Sequence, residues 1–511
     1  MNNGQSRPTP GSPSPRCPVH DQAVPLYKDL QHSDHASLWE ELRTRFGAVA
    51  PVEITPGVPG WLLLGYHENL NVLRDPARFS TDPRHWRQAR EGGLGNVPGP
   101  RTGSLAGDGA GHRRLRAPIV EGLAAVTGPA LGAAIERLAH ALIDGFAGEG
   151  NADLIADYAA PLPVLVLNRL FGLSDEHGRL LADLTANRRD GDAAVAERAA
   201  DDIRDYFTAL VRRRRDKPGG DFVSTLLAHP AALSDTEAVD ELLLMVGAGH
   251  EPTTHLIGNA LHRLLGDSEI AVAYRGAALP AADFIDYVMW VDPPLQTLAG
   301  RYPTLDVRIG DAEIKEGDAL LLGFAPAHAD PATRPPGRED GIDALAGNRA
   351  HLMWGAGPHG CPAQSLAREI TITAIDVLIS RLGDLTLTGA PETLRRRGSL
   401  SVHGLVELPV AFAPERRPAA TRPAPVPARK GIRRMFPPAR TPRAQGARYG
   451  APDRDRAQPQ QAGPAASPRA PAPVRVRATG ARYQAPAARP PEPEADPLEL
   501  LLARWRRDHA D

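Results

Sequence analysis

The chain has 511 residues, 42% of them apolar, enough for a sizeable buried core, and a net charge of −2 at neutral pH. No run approaches the ~20 apolar residues needed to cross a bilayer, and the opening MNNGQSRPTPGSPSPRCP lacks the apolar centre of a secretion signal, so a cytoplasmic location is expected. The only cysteines, Cys17 and Cys361, exclude a disulfide framework and a Cys-x-x-Cys zinc or redox site.

Residues 1–25 are polar and Pro-rich and are expected to be unstructured, with the folded body over residues 26–415. SDHASLWEELRTRFG places Leu38, Leu42 and Phe46 at helical spacing before the stop glycine Gly47, and APVEI with PGWLLLG reads as a strand pair. In DGAGHRRLRAPI, His112 and Arg116 lie four apart, on one helical face, although a basic face is usually only solvated. The quartet Arg212 to Arg215 suits a helix end, or a surface meeting an electron donor. Ser234 and Glu237 form a capping box that opens the longest helical pattern, Asp235 to Leu265, about 46 Å at 1.5 Å per residue. Pro252 inside it removes an amide donor, so a kink beside Ala248 is expected.

WGAGPHGCPAQ, Trp354 to Gln364, sets Cys361 among glycines and prolines. A thiolate can ligate haem iron and make it electron-rich, and Gly355, Gly357 and Gly360 suit a backbone passing close to a flat macrocycle. Backbone N–H groups aimed at the sulfur would tune its charge, Pro362 withholds one donor, His359 suits a propionate, and Trp354 suits packing on the ring or thiolate. The plainer reading makes Cys361 a buried small hydrophobe in a glycine turn. AQSLAREITITAIDVLISRL then reads as a helix.

Beyond residue 415 the composition changes. Arg416 to Pro490 carries 17 Arg and Lys against 2 Asp, a charge of +15, with 15 prolines; Pro491 to Asp511 carries −3, which leaves −14 on the first 415 residues. Such a tract lacks the apolar side chains for a core, and residues 416–495 are expected to form a disordered basic linker. GARYGAP recurs in it as GARYQAP, which fits compositional drift and a repeated docking element equally well. In residues 496–511, DPLELLLARWRRDHAD places Leu498, Leu501, Leu502 and Trp505 on one helical face, which needs a partner, a membrane surface or the body itself.

WGAGPHGCPA resembles the haem-binding signature of the cytochrome P450 family, Phe-Gly-x-Gly-x-His-x-Cys-x-Gly, with Trp354 for the phenylalanine and Ala363 for the last glycine. The resemblance covers most of residues 20–414. It implies that family's fold, mainly α with a small β region, and haem b (iron protoporphyrin IX) with Cys361 as axial iron ligand. It also implies cofactor-binding roles for His112, Arg116, Arg301, Trp354 and His359; without it, Arg301 in RYPTLDVRIG is an ordinary strand-edge charge. AGHEPTT resembles the family's oxygen-activating motif, which makes Glu251 and Thr253 catalytic, with Pro252 where the alcohol belongs. Read plainly, Glu251 is a structural carboxylate and Thr253 bonds back to its helix. In FIDYVMWVDPPLQ the family's Glu-x-x-Arg pair is replaced by Tyr287 and Trp290, which implies a substituted scaffold, since exchanging both members of a buried pair can be neutral; an actinobacterial subgroup is similar in lacking the pair.

The implied reaction inserts one atom of O2 into a small organic substrate, with electrons from NAD(P)H through a reductase and ferredoxin, because the chain carries no flavin or nicotinamide fingerprint. The resemblance implies substrate walls near Trp86 to Ser104, Val246 to Glu251, Leu295 to Gly300 and Leu400 to Leu405. The alternative is a haem-binding sensor or scaffold of little turnover, acting through the basic tail on an acidic protein or an anionic surface, including peripheral membrane association.

Overall fold

Apolar residues recurring at helical spacing make most of the elements helices, and their packing is seen in a computed structural model that describes residues 22–28, 35–90, 103–188, 192–333, 341–415 and 496–509. The N-terminal residues to 21 and the basic tract of 416–495, with its repeat, lie outside the described residues.

Helix α1 (His35–Phe46) buries Trp39 and Leu42 and leads into the antiparallel strands β1 (Val49–Thr55) and β2 (Val58–Leu63), paired with Val52 opposite Gly60. Strand β2 pairs in parallel with β4 (Leu320–Gly323), which pairs antiparallel with β3 (Thr297–Pro303). These strands sit in a six-stranded sheet that Val24–Pro25 and Phe79–Ser80 complete at its edges. Helix α2 (Tyr66–Arg74) follows the sheet's first hairpin.

The helical part comprises α3 (Gly109–Val126), α4 (Pro129–Phe146), α5 (Pro161–Leu170), α6 (Asp175–Asn187), α7 (Ala193–Asp216), α8 (Asp235–Gly266), α9 (Ala281–Val291) and α10 (Gln364–Arg381), with shorter turns between them. Helix α8 is the organising element: it packs against α5, α7, α9 and α10 and buries residues along most of its length, from Ala238 to Leu264. The capping box expected at its start is made: the Ser234 hydroxyl accepts from the Glu237 amide at 3.2 Å, and the Glu237 carboxylate accepts from the Ser234 amide at 2.9 Å. The helix continues through Pro252 to Gly266. Among the described residues no single helix is long and apolar enough to cross a membrane.

The last helix, α11 (Pro497–Asp508), settles which surface covers its apolar face. Leu498 and Leu502 are buried, and α11 lies against α6 and α7 of the body. Arg213 on α7 holds Asp496 at 2.6 Å and Glu499 at 3.0 Å, the Trp505 indole donates to Asp183 at 2.7 Å, and Arg504 pairs with Asp202 at 2.6 Å. The basic quartet is thus largely committed within the chain: Arg214 pairs with Asp221 at 2.8 Å and Arg215 with Asp235 at 2.9 Å.

Candidate functional site

The cysteine loop folds as its glycines dictate. Gly355 and Gly357 adopt φ of +66° and +67°, a conformation that L side chains rarely take. A Cβ on Gly357 would also stand 2.5 Å from the Leu73 carbonyl at the end of α2. The need for glycine here therefore comes from left-handed turns and a close approach to α2, not only from proximity to a flat ligand. The loop closes on itself: the Cys361 amide donates to the Trp354 carbonyl at 2.7 Å and the Gly360 amide to the Gly357 carbonyl at 3.1 Å. Arg116 from α3 donates to the Gly360 carbonyl.

Cys361 faces a cavity of about 370 Å³ and is exposed to it, although protein surrounds the loop. Burial pushes its thiol up from its ordinary value, while the Ala363 amide and the positive charge of Arg116 pull the other way. A bound metal cation reverses the balance, since a coordinating thiol is deprotonated outright. The cavity is lined by Gly247 to Gly249 and Glu251 to Thr253 of α8, by Ile119 and Leu123 of α3, by Leu366 and Ile370 of α10, and by Leu295, Leu298 and Val402.

Arg116, Arg301, Trp354, His359 and Cys361 all line this cavity, with Glu251 and Thr253. His112 lies behind His359, the two rings 4.1 Å apart. His359 Nε2 stands 3.1 Å from Asp108 Oδ1, and Asp108 also accepts from the Ser80 hydroxyl at 2.6 Å and the Thr81 amide at 2.9 Å. These donors, His359 foremost, outweigh burial and hold the Asp108 carboxyl well below the usual range. His112 is pushed down to about 4, chiefly by burial and then by His359 and Arg116, so it is neutral at physiological pH. Arg301, on β3, is buried and donates to the Gly300 carbonyl at 3.0 Å.

The residues fit a haem. An apolar cavity holds one thiol and two arginines, and two buried nitrogens, His112 Nε2 and Trp354 Nε1, have no hydrogen-bond partner among the described residues. Buried donors and acceptors left in this state are costly and point to a missing polar group.

The structure bears on four of the sequence expectations in detail. The Thr253 hydroxyl donates to the Gly249 carbonyl at 2.7 Å, so it bonds back to its helix while still lining the cavity. Trp86 does not line the cavity; it stacks on Tyr302 with ring centroids 6.0 Å apart. Of the wall segments, Ser104, Gly247 to Gly249, Glu251, Leu295, Leu298 and Val402 do line it, and residues 91–102 lie outside the described residues. Tyr287 and Trp290 are buried, as large packed replacements should be, and the Trp290 indole donates to the Asn348 carbonyl at 2.8 Å.

The sequence reading passed over two further groups on α8. Glu241 is fully buried, accepts from the Ser104 amide at 2.5 Å and hydroxyl at 2.8 Å, and is pushed up to about 7 by burial. A carboxylate inside the apolar run of ELLLM was the available signal. His255, also buried, places Nε2 3.7 Å from Glu251 Oε1, as their spacing of four on one helix allowed.

No family model matches the chain. Cytochrome P450 107B1 of Saccharopolyspora erythraea is 30% identical over 393 residues, 74% of this chain and 94% of its own length. Mycinamicin IV hydroxylase/epoxidase of Micromonospora griseorubida is 30% identical over 372 residues, 70% of this chain and 90% of its own. The solved structure of CYP154A1 from Streptomyces coelicolor matches with a TM-score of 0.67 at 28% identity, covering 76% of this chain and 100% of that one.

Proposed function

The chain belongs to the cytochrome P450 family and is a haem-thiolate monooxygenase, and on that premise we propose that Cys361 is the axial ligand in a site that oxidises a small, largely apolar organic substrate. The observation that carries this reading is one cavity: the Cys361 thiol and the Gly249–Thr253 turn of α8 line the same apolar space, together with Arg116, Arg301 and His359.

When bound, the haem supplies the activation of O2. The chain's own residues bind, orient and supply protons. Arg116, Arg301 and His359, which line the cavity, would hold the propionates, with His112 behind His359, and Trp354 would pack against the haem. Thr253 gives its hydroxyl proton to the Gly249 carbonyl, so its lone pairs remain available to accept from a group in the cavity. Glu251, about one-third exposed and 3.7 Å from His255 Nε2, stands between that space and solvent, where it would relay protons. Leu295, Leu298 and Val402 form the apolar wall that orients substrate. Electrons come from NAD(P)H through a reductase and a ferredoxin, which the chain's want of a flavin or nicotinamide fingerprint supports. The +15 tract acts as a docking arm for an acidic protein or an anionic surface.

A second reading, a haem sensor of low turnover, is favoured by Pro252 in the oxygen motif and by the engagement of the Thr253 hydroxyl. Turnover separates the two. Purified haem-loaded protein, supplied with a surrogate ferredoxin, its reductase and a panel of apolar substrates, is expected to consume NADPH in step with oxygenated product. Background consumption and no product across the panel, from protein with an intact thiolate spectrum, would establish the sensor instead.

A further inference from the structure

A sulfur that ligates iron must be held in place by the shell behind it, because those contacts set ligand orientation. Both flanks of the cysteine loop are tied to one carboxylate. Asp286, on α9 immediately before Tyr287, is fully buried. Its Oδ1 accepts from Arg368 Nη1 at 2.5 Å and lies 3.2 Å from His351 Nε2, while Arg349 Nε stands 3.7 Å from Oδ2. His351 lies ahead of Cys361 and Arg368 lies beyond it, on the first turns of α10. Arg368 further donates to the Ala282 carbonyl at 3.3 Å, fastening α10 to the first turn of α9.

Three other side chains grip the near flank. Trp290 takes the Asn348 carbonyl, the Tyr66 hydroxyl donates to the Ala350 carbonyl at 2.6 Å, and His328 Nε2 accepts from the Leu352 amide at 2.8 Å. None of these contacts reaches beyond the cysteine. Asp286 alone among them closes the segment from His351 to Arg368 into a ring, with α9 as its base. Burial raises the Asp286 carboxyl, but His351 and Arg368 outweigh it and keep the group ionised.

We infer that Asp286 is a positioning residue for the Cys361 sulfur, supplying through Arg368 and His351 the ionic anchor that neither Tyr287 nor Trp290 can provide; this rests on the reading of Cys361 as axial ligand. Removing its charge leaves Arg368, whose side chain is 13% exposed, without its buried counter-ion, and a buried pair broken on one side is strongly destabilised. The slack falls on the two flanks that position the sulfur.

The test follows ligation, not turnover. Haem-loaded Asp286→Asn is reduced and treated with carbon monoxide, and the thiolate-ligated Soret band is followed below the temperature at which circular dichroism reports unfolding. The band is expected to convert to that of a neutral-thiol or imidazole ligand about tenfold faster than in the wild type, or more. Trp290→Phe, which keeps an aromatic ring but removes the indole N–H that holds the Asn348 carbonyl, is expected to convert more slowly than Asp286→Asn. If Asp286→Asn does not fold, Arg368→Lys, which keeps the charge but loses the fork, replaces it and is expected to convert faster than wild type. A band that persists as in wild type in the folded variants, or that is lost only with global unfolding, overturns the inference. A wild-type protein with no thiolate band would instead overturn the assignment of Cys361 itself.

Discussion

At the residue scale, the titrating groups of α8 give the sharpest expectations. Glu241 is pushed up to about 7 in the folded protein, from an ordinary value near 4.5. Between those values the folded protein keeps a proton that the unfolded chain releases, so stability falls as pH rises through that window. The difference is up to about 3 kcal/mol for so buried a group. Glu241→Gln keeps one of the two oxygens that accept from Ser104, places an NH2 that can donate to its hydroxyl at the other, and removes the titration; its melting temperature relative to wild type is therefore expected to be higher near pH 8 than near pH 5. Equal differences at both pH values would show that Glu241 does not titrate in this window. Glu251→Gln tests the proton role: product per NADPH is expected to fall by about a hundredfold with the haem spectrum unchanged. Much of this was legible in part. Cys361 and its neighbours were evident from the loop's composition, because glycine at special φ leaves a mark in sequence. Asp286 was not, because its meaning lies in His351 and Arg368, 65 and 82 residues away along the chain.

At the scale of elements, α8 and α11 illustrate the same division. The capping box, length and proline of α8 are readable in the sequence, since caps and apolar periodicity are local; the return of the Thr253 hydroxyl to Gly249 depends on a side-chain rotamer, and the sequence allows both orientations. For α11 the apolar face was readable, but the surface covering it was not, because the complementary groups, Arg213, Asp183 and Asp202, are spread over α6 and α7. This docking carries its own prediction. Truncation after Ala495 removes α11 and uncovers the faces that Leu498 and Leu502 bury. Amide hydrogen exchange in α6 and α7 is expected to accelerate about tenfold or more, while the thiolate spectrum stays unchanged. Unaltered exchange in both helices would mean that α11 contributes nothing to holding them.

At the scale of the whole molecule, an acidic body and a basic tract share one chain, and several of the body's elements converge on the cavity that holds Cys361. The sheet supplies Arg301, α3 supplies Arg116, α8 supplies Glu251 and Thr253, and the loop before α10 supplies the thiol. No one of these segments makes a site; their convergence does. The family's signature was readable because it is confined to one loop, whereas the replacement for its missing ion pair appeared only when α9, His351 and α10 were brought together.

The most direct test of this account is the absorption spectrum of the purified, reduced, carbon monoxide-bound protein, set beside that of Cys361→Ala. The wild type is predicted to show the Soret band of a thiolate-ligated haem and the variant to lose it while remaining folded. A folded, haem-supplied wild type without that band, or a Cys361→Ala variant that retains it, would contradict the account.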